Sequence, residues 1–390
     1  VAKRDSKIDV SNFKVHLQSC DKSAPSAPPK PNAEMVLQDV KLTWYAAGDD
    51  TSVVGYSVYR DGKVLPGMPI RTRFFYDNDL QDGVTHAYTI VAHDHGGKAS
   101  APSAAATLKI ALPTAKTVYI DPENTASGAD GSKAKPFSGW SKVKWVTGQL
   151  YLQKRGTVSQ ETTIGFGANG VNLGAYGHGP RPIIESNAGG NDKIVSGWKK
   201  TDVTIRDLFV RAPNAFSLIY FSTGCVNGKI INCRTQGGSY GIRITSGGNK
   251  DQKIIGCEVS HTVDDGIFIQ DATDFEVADT FIHNVNTAWK PPSTPEGQAS
   301  GDGLQHSRCD RWHVHHNRID RSSSGNKFCF ISNDGQVQGL FEHNICYAPR
   351  VDGTGIYLGY GGSNLVLRYN VISGPSAGLY HHTKNLSVYG

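Results

Sequence analysis

The sequence predicts an all-β protein whose larger part is a coiled parallel β-solenoid, or β-helix. Three observations carry this prediction. From Val203 onward one short phrase recurs roughly every two dozen residues. A second strand-like segment follows it in most repeats, and both segments are rich in β-branched residues. The composition, with 44 glycines and 2 methionines, suits many turns and short strands rather than helices.

The repeats can be superposed residue by residue. The first phrase reads VTIRDLFV (203–210), GKIINCRT (228–235), QKIIGCEV (252–259), FEVADTFI (275–282), WHVHHNRI (312–319), GLFEHNIC (339–346) and LVLRYNVI (365–372). One column then contains Leu208, Cys233, Cys257, Thr280, Asn317, Asn344 and Asn370. Because stacked strands in register let side-chain amides bond to one another, the last three predict an asparagine ladder. The two cysteines of the column are expected to fill the core as small buried groups.

The first 111 residues of the chain divide into two segments. Residues 1–32 form a polar arm that ends in a Pro-rich linker. Residues 33–111 alternate as in a small β-sandwich, and they resemble a bacterial fibronectin type III domain. Trp44 stands at its core tryptophan, GYSVYRDG (55–62) at its central hairpin, and Leu80 with Tyr88 at its tyrosine-corner region. The resemblance implies a spacer or accessory module.

Residues 112–390 are assigned to the β-helix. The segments TVYIDPENTASGADGSKAKPFSGW (117–140), GQLYLQKRGTV (148–158) and VNLGAYGHGPRPII (171–184) are similar to the first coils of extracellular β-helix proteins that act on polysaccharides. The chain from there to Gly390 resembles the pectate-lyase-like right-handed parallel β-helix superfamily. That superfamily includes polysaccharide lyases, glycoside hydrolases, uronan epimerases and phage tailspikes. The resemblance implies a secreted or cell-surface protein, and the fold alone does not assign its chemistry.

The net charge and the distribution of apolar residues limit the classes of molecule that the protein is expected to bind. The net charge of +5 is compatible with an acidic polysaccharide and is far from that of a nucleic-acid-binding domain. No stretch approaches the ~20 apolar residues of a membrane helix. The seven cysteines are scattered without a CxxC pair, so a zinc site is not expected, and disulfides between neighbouring coils stay open.

The last coil has no recognisable cap, and no secretory segment opens the chain. We therefore expect Val1 to be a processed or trimmed terminus. At the other end, either the sequence is truncated, or another chain in a homo- or hetero-oligomer covers the exposed strand edges.

Acidic residues gather where the second strands begin. The superposition places Asp265, Asp302, Asn326 and Thr354 in one column. Because adjacent coils lie about 4.8 Å apart, two carboxylates are expected within about 6 Å of each other, with Asp264 alongside. Such a cluster needs a shared proton or a cation, and Ca²⁺ with Asp264, Asp265 and Asp302 as ligands is the candidate. The alternative is that the Asp-Gly pairs only make turns.

Lys327 interrupts a column of glycines beside these acids. In the β-helix lyases a lysine or arginine abstracts the C5 proton of a uronate, and a cation or an arginine neutralises its carboxylate. The resemblance therefore implies Lys327 as the base and Arg350 or His306 as the acid or neutraliser. The alternatives are a solvated surface lysine and a core histidine.

One insertion, residues 286–300, interrupts the repeat just before Asp302. Insertions in solenoids often wall a binding groove. Trp289 and Lys290 within it can stack on and bind an anionic sugar, and His261 in a neighbouring coil is a further candidate binding residue. The alternative is a tolerated surface loop.

The favoured function is a secreted polysaccharide lyase that cleaves an acidic, uronate-containing polysaccharide by β-elimination. One alternative is a polygalacturonase-like hydrolase, with Asp265 and Asp302 as acid and base, or a uronan epimerase. The other is a non-catalytic, glycan-binding surface, fibre or phage-tail component.

Overall fold

The structure is a computed structural model. It describes residues 22–36, 38–50, 53–78, 80–112, 116–285, 301–320, 328–335, 338–347, 354–359, 361–374 and 378–389. The chain divides into two units, Val1–Pro113 and Thr114–Gly390. The only helical element among the described residues is the single turn Trp140–Lys142, and none of their helices is long and apolar enough to cross a membrane.

The first unit is an antiparallel sandwich. One sheet contains Asn32–Val36, Asp39–Thr43 and Phe74–Asp77, and the other contains Lys63–Val64, Val53–Arg60, Thr85–Asp94 and Ala106–Lys109. Trp44 is buried and meets the ring of Tyr56 edge to face at 5.6 Å. The buried Tyr88 donates its hydroxyl to Asp77 at 2.7 Å, and Arg60 pairs with the same carboxylate. These contacts tie the two sheets together around the residues that predicted the fibronectin-like fold.

The second unit winds through three parallel sheets, here named S1, S2 and S3 in the order in which each coil meets them. As described, S1 contains Thr117–Ile120, Leu150–Lys154, Asn172–Tyr176, Thr204–Arg206, Lys229–Ile231, Lys253–Ile255, Glu276–Ala278, Trp312–His315, Gly339–Glu342, Ser363–Arg368 and Lys384–Tyr389. S2 contains Val158–Gln160, Ile183–Glu185, Phe209–Arg211, Arg234–Gln236, Glu258–Ser260, Phe281–His283, Arg318–Asp320, Ile345–Tyr347 and Val371–Ser373. S3 contains Ile164–Gly165, Lys193–Trp198, Ser217–Ser222, Tyr240–Thr245, Ile267–Gln270, Leu304–Ser307, Phe328–Asn333, Thr354–Leu358 and Leu379–His381. Asn249–Lys250 and Ala272–Thr273 form a short extra pair.

Each phrase read as one strand in the sequence is in fact two strands with a corner between them. In VTIRDLFV, for example, Thr204–Arg206 lies in S1 and Phe209–Arg211 in S2. The corner is made by a residue in the left-handed region, which Asn, Asp and Gly adopt most readily. One such residue recurs in successive coils, as Asp207, Asn232, Gly256, Asp279, His316, His343 and Tyr369. The predicted single strand is therefore wrong. A column of residues with left-handed backbone turns every coil at the same place and divides each such segment into an S1 strand and an S2 strand.

The core is filled by the residues that face inward at every second position. Along S1, in register, these are Leu173, Ile205, Ile230, Ile254, Val277, Val314, Phe341 and Leu367, all buried. Branched side chains stacked in register pack against the same type one coil away. The apolar stripe of each coil is therefore covered by its neighbours, which is how a solenoid acquires a core.

The asparagine ladder is confirmed at the corner between S1 and S2. Asn344 accepts hydrogen bonds at its Oδ1 from the backbone N–H and the side-chain amide of Asn317, both at 3.0 Å. Its own amide donates to the carbonyl of Val314 at 2.9 Å and to Oδ1 of Asn370 at 3.1 Å. Thr280 continues the column, since its backbone N–H donates to Asn317. The buried amides thus join coils and satisfy backbone groups that the corner leaves unpaired.

The described cysteines are free and buried, as expected for the two in the ladder column. Cys233 and Cys257 point their thiols at backbone carbonyls, with Sγ to oxygen distances of 3.4 to 3.6 Å. Burial raises the pKa of both thiols, so they remain protonated.

The ladder yields a test of coil register. Asn344→Ala removes two acceptor bonds and two donor bonds at once and leaves a buried backbone carbonyl without its partner. We expect the free energy of unfolding to fall by about 3 kcal/mol, measured by urea denaturation. Asn214→Ala, at an exposed position, is the matched control. Equal stability of the two variants would show that the ladder does not hold the coils together.

Candidate functional site

The outer face of S3 contains a row of side chains that successive coils place one above the other. The register pairs Tyr220 with Arg243 and Arg243 with Phe268. Each of the three is half-buried, whereas the isoleucines beside them point into the core. In register, the row reads Ser196, Tyr220, Arg243, Phe268, Gln305, Ile331, Tyr357 and Tyr380. Strand alternation therefore produces an outward track along the solenoid in which half of the side chains are aromatic and one, Arg243, is cationic.

Arg243 is the centre of this track. Its guanidinium carbon lies 4.5 Å from the ring centroid of Tyr240, 4.6 Å from that of Phe216 and 5.1 Å from that of Phe268. Three rings from three coils thus hold one cation by cation–π attraction. Its Nε is buried and has no hydrogen-bond partner among the described residues. A planar donor held in this way can bind a carboxylate, which guanidinium geometry matches.

A carboxylate and a phenol adjoin the cation. Tyr240 donates its hydroxyl to Oδ2 of Asp264 at 2.8 Å. Burial raises the pKa of Asp264, and the phenol and Arg243 partly offset this. Burial and the Asp264 charge raise the pKa of Tyr240. The phenol therefore stays protonated at neutral pH, and the carboxylate is a stronger base than an exposed aspartate.

Asp265 and Asp302 lie below the surface. Their exposed fractions are 2 % and 1 %, which corrects the expectation that both carboxylates face a substrate. The backbone N–H of Asp302 donates to Oδ1 of Asp265 at 2.7 Å, and that of Phe328 donates to Oδ1 of Asp302 at 2.8 Å. Each carboxylate thus accepts a hydrogen bond from the backbone of the next coil. Burial first, then the neighbouring charges of Asp302 and Asp264, raise the pKa of Asp265 well above its usual range.

The glycines after these aspartates are needed for packing rather than for a turn. Neither Gly266 nor Gly303 has a left-handed backbone. A Cβ on Gly266 would lie 2.6 Å from Ile282, and one on Gly303 would lie 2.3 Å from Ile319. The Asp-Gly pair therefore marks the place where S3 begins, packed closely against the S2 strand of the following coil.

The register also corrects the predicted glycine column. Leu304 pairs with Phe330, which places Phe328 beside Asp302 and Cys329 beside Gly303. The predicted column is thus shifted by two residues at this coil. Lys327 lies outside the described residues, as do Arg350, Trp289 and Lys290, so the roles predicted for these four remain predictions.

The calcium site predicted from Asp264, Asp265 and Asp302 remains a prediction. Among the described residues, no group of three His, Cys, Asp or Glu side chains is positioned to hold a metal ion. Two of the three aspartates are buried and engaged by backbone N–H groups, and burial favours the protonated form of Asp265. A Ca²⁺ ion takes about six to eight oxygen ligands, which include ionised carboxylates. The chemistry below therefore uses none.

His306 lies in the core rather than in a groove, which removes it from the roles of acid or neutraliser. It has no exposed surface and is surrounded by the rings of Phe275, Trp312 and Phe330, with centroids 4.6 to 5.4 Å away. Burial lowers its pKa to about 3. His261 is exposed on the turn before Asp264, and its ring meets His283 of S2 at 6.2 Å. Among the predicted site residues that the structure describes, Asp264 adjoins the Arg243 track, and His306 and His261 lie apart from it.

Comparison with known proteins agrees with the solenoid. Residues 217–390 match the family model described as right handed beta helix region. Exoglucanase B of Cellulomonas fimi is 32 % identical over 194 residues, 47 % of this chain and 17 % of that protein. Chitinase 63 of Streptomyces plicatus is 32 % identical over 136 residues, 33 % of this chain and 19 % of that protein. The chain thus spans less than a fifth of either relative.

Solved structures similar to the chain include a pectate lyase, with 14 % identity, a TM-score of 0.48 and coverage of 70 % of this chain and 79 % of that one. The family 28 exopolygalacturonase of Yersinia enterocolitica has 11 % identity, a TM-score of 0.38 and coverage of 94 % and 86 %. We draw no conclusion about activity from similarities at this level.

Sheet architecture and family model together define the class of protein. The chain is a right-handed parallel β-helix preceded by a fibronectin type III-like sandwich. The predicted fold class is confirmed, and residues 217–390 match the family model of the right-handed β-helix.

The buried aspartate makes stability depend on pH in a defined direction. Because the pKa of Asp265 is raised in the folded state, the stability that Asp265 contributes to the fold is fully present at acidic pH. This stability is lost as the pH rises toward the raised pKa. Asp265→Asn keeps an acceptor oxygen but cannot ionise. We expect this variant to gain stability relative to the native protein between pH 4 and 8, measured by urea denaturation, whereas the exposed Asp202→Asn should not. A constant difference over that range would contradict the assignment.

His306 acts in the opposite direction. Unfolding exposes it to protonation near its ordinary pKa of 6.5, whereas the folded side chain stays neutral down to about 3. The native protein should therefore lose stability as the pH falls from 6 to 4 by about 1.4 kcal/mol per pH unit more than His306→Phe does. Thermal or urea unfolding at several pH values measures this. Parallel curves would show that His306 has the same pKa in the folded and the unfolded state, which would contradict its burial as a neutral side chain.

Proposed function

We propose that the protein is a polysaccharide lyase that cleaves a uronate-containing polysaccharide by β-elimination, with the glycan lying on the outer face of S3. One observation carries the proposal, namely the Arg243 guanidinium held by three rings directly beside the Asp264–Tyr240 hydrogen bond. Together these groups offer a cation, a base and an acid on one accessible surface.

Arg243 would bind the carboxylate of the sugar to be cleaved. Neutralising that carboxylate makes the C5 proton more acidic, because the negative charge that develops on removal of the proton is delocalised into the carboxylate. The rings hold the guanidinium in place before the glycan arrives, and such preorganised charge is the largest source of rate enhancement in many enzymes.

Asp264 and Tyr240 would move the protons. The Asp264 carboxylate accepts the proton from C5, the C4–O bond breaks as a C4–C5 double bond forms, and Tyr240 donates its proton to the departing oxygen. The neutral Asp264 then returns a proton to the phenolate through the bond that joins them, which is 2.8 Å long. Acid and base lie on the same side of the sugar, so the elimination would be syn.

Hydrolysis is less well supported by the described residues. A glycosidase needs two carboxyl groups that both reach the scissile bond. Asp264 is accessible, whereas Asp265 and Asp302 are buried and bound to backbone N–H groups. Lys327 as a further base, and Arg350 as a second neutraliser, remain compatible with the proposal.

The polysaccharide class has independent support. The relatives with sequence similarity, exoglucanase and chitinases, are named for action on polysaccharides. The positive track on S3 favours an acidic rather than a neutral polymer. Because such polymers lie outside cells, we also propose a secreted or cell-surface location.

The product distinguishes the alternatives. We expect the protein, incubated with polygalacturonate, alginate or chondroitin, to release a product with the ultraviolet absorbance of an unsaturated uronate. Tyr240→Phe and Arg243→Ala should each lower kcat by about 100-fold or more, since each removes a group that acts in the transition state. Arg234→Ala, which removes another ring-bound arginine on S2, is the matched control.

Two outcomes would contradict the proposal. New reducing ends without the absorbance would indicate a hydrolase. Neither signal with any of the three polymers would favour a glycan-binding protein without catalytic activity.

A further inference from the structure

A second cation lies on the same aromatic ring as Arg243. The Lys193 ammonium is 5.2 Å from the centroid of Phe216 and 5.9 Å from that of Tyr220, while the Arg243 guanidinium is 4.6 Å from Phe216. One phenyl ring thus contacts two positive charges. Neither cation forms an ion pair with a described residue.

The arrangement is directional. Lys193 pairs in register with Ser217, and Ser217 pairs with Tyr240, so Lys193 begins its strand two coils before the strand of Arg243. Two coils correspond to about 10 Å along the solenoid. Lys193 therefore extends the positive track toward the amino-terminal coils, away from Asp264.

Two like charges near one ring repel each other unless an anion lies between or above them. The described ion pairs elsewhere on the solenoid show the contrast. On S1, Lys253 pairs with Glu276 at 2.6 Å, and on S2, Arg211 pairs with Glu185 at 2.6 Å. Lys253 and Arg211 thus have a carboxylate at ion-pair distance, whereas Lys193 has none among the described residues, and the negative charge near Arg243 is that of Asp264.

We infer that Lys193 binds a second anionic group of the same glycan chain, so that the substrate has acidic groups on successive repeats, on the side facing S3. This inference rests on the proposed function, because it takes Arg243 as the carboxylate-binding group at the cleavage site. It goes further by assigning a separate subsite, composed of Lys193, Phe216 and Tyr220, with an electrostatic preference for a polyanion over a chain that has a single charge.

Lys193 is a binding residue in this scheme, and it does not touch the reacting atoms. Its removal should weaken substrate and transition state equally, which raises KM and leaves kcat unchanged. The loss should be about tenfold, as expected for one charge-assisted contact. It should also shrink as salt is added, because the contact is screened.

The experiment separates binding from turnover. In an Asp264→Asn background, binding of polygalacturonate, alginate and chondroitin would be measured by calorimetry for Lys193→Ala, Arg243→Ala and the control Lys229→Ala, which removes the same charge from S1. The carboxyl-reduced form of each polymer is the uncharged comparison. We expect weaker binding of the polyanions by Lys193→Ala, unchanged binding by Lys229→Ala, and little binding of the reduced polymers by any form.

The results distinguish the two proposals. If Lys193→Ala binds the polyanions as tightly as Lys229→Ala does while Arg243→Ala does not, the subsite is wrong and the proposed function stands. If Arg243→Ala also binds normally, or if the Asp264→Asn protein binds none of the polyanions, both are wrong. Circular dichroism and thermal unfolding of each variant confirm that the solenoid is intact.

Discussion

Register between successive coils is the constraint on which the rest of this structure depends. A coil of the second unit cannot bury its apolar side alone, so each is stable only when the next lies directly above it. The ladder of Asn317, Asn344 and Asn370 fixes that alignment by amide bonds along the stack. Asp265 and Asp302 do the same at the start of S3, where each carboxylate binds the backbone of the following coil.

The same register creates the site. A side chain that points outward at one position of S3 lies above and below the outward side chains of its neighbours. Arg243 is therefore surrounded by rings from three coils without any one segment containing the set. The three aspartates of this region then differ in role according to whether they are buried or exposed. Asp265 and Asp302 support the stack, and Asp264, displaced by a single residue from Asp265, remains half-exposed and bound to a phenol.

Repeats and ladder could be predicted from the sequence because their signals recur at fixed offsets in one chain segment. Asn317, Asn344 and Asn370 each precede a strand by the same spacing, so superposing phrases was enough. The corners were missed because Asp207 and His343 share a backbone conformation and no side-chain chemistry. The residues predicted to lie beside Asp302 and Gly303 were wrong by two positions, because the spacing between consecutive S3 strands varies. The observed pairing of Leu304 with Phe330 sets the correct alignment. Arg243 was missed for a related reason, since its partners Phe216 and Phe268 belong to other coils and become neighbours only when outward rows are aligned.

The central claim is that the outer face of S3 binds an acidic glycan. Hydrogen–deuterium exchange with and without a bound polyuronate tests it most directly, because exchange reports protection strand by strand. The account predicts slower exchange in the S3 strands Ser217–Ser222 and Tyr240–Thr245 and in the turn before Ile267, with the S2 strands Phe209–Arg211 and Arg234–Gln236 unchanged. Protection confined to S2 or to the fibronectin-like unit would contradict it.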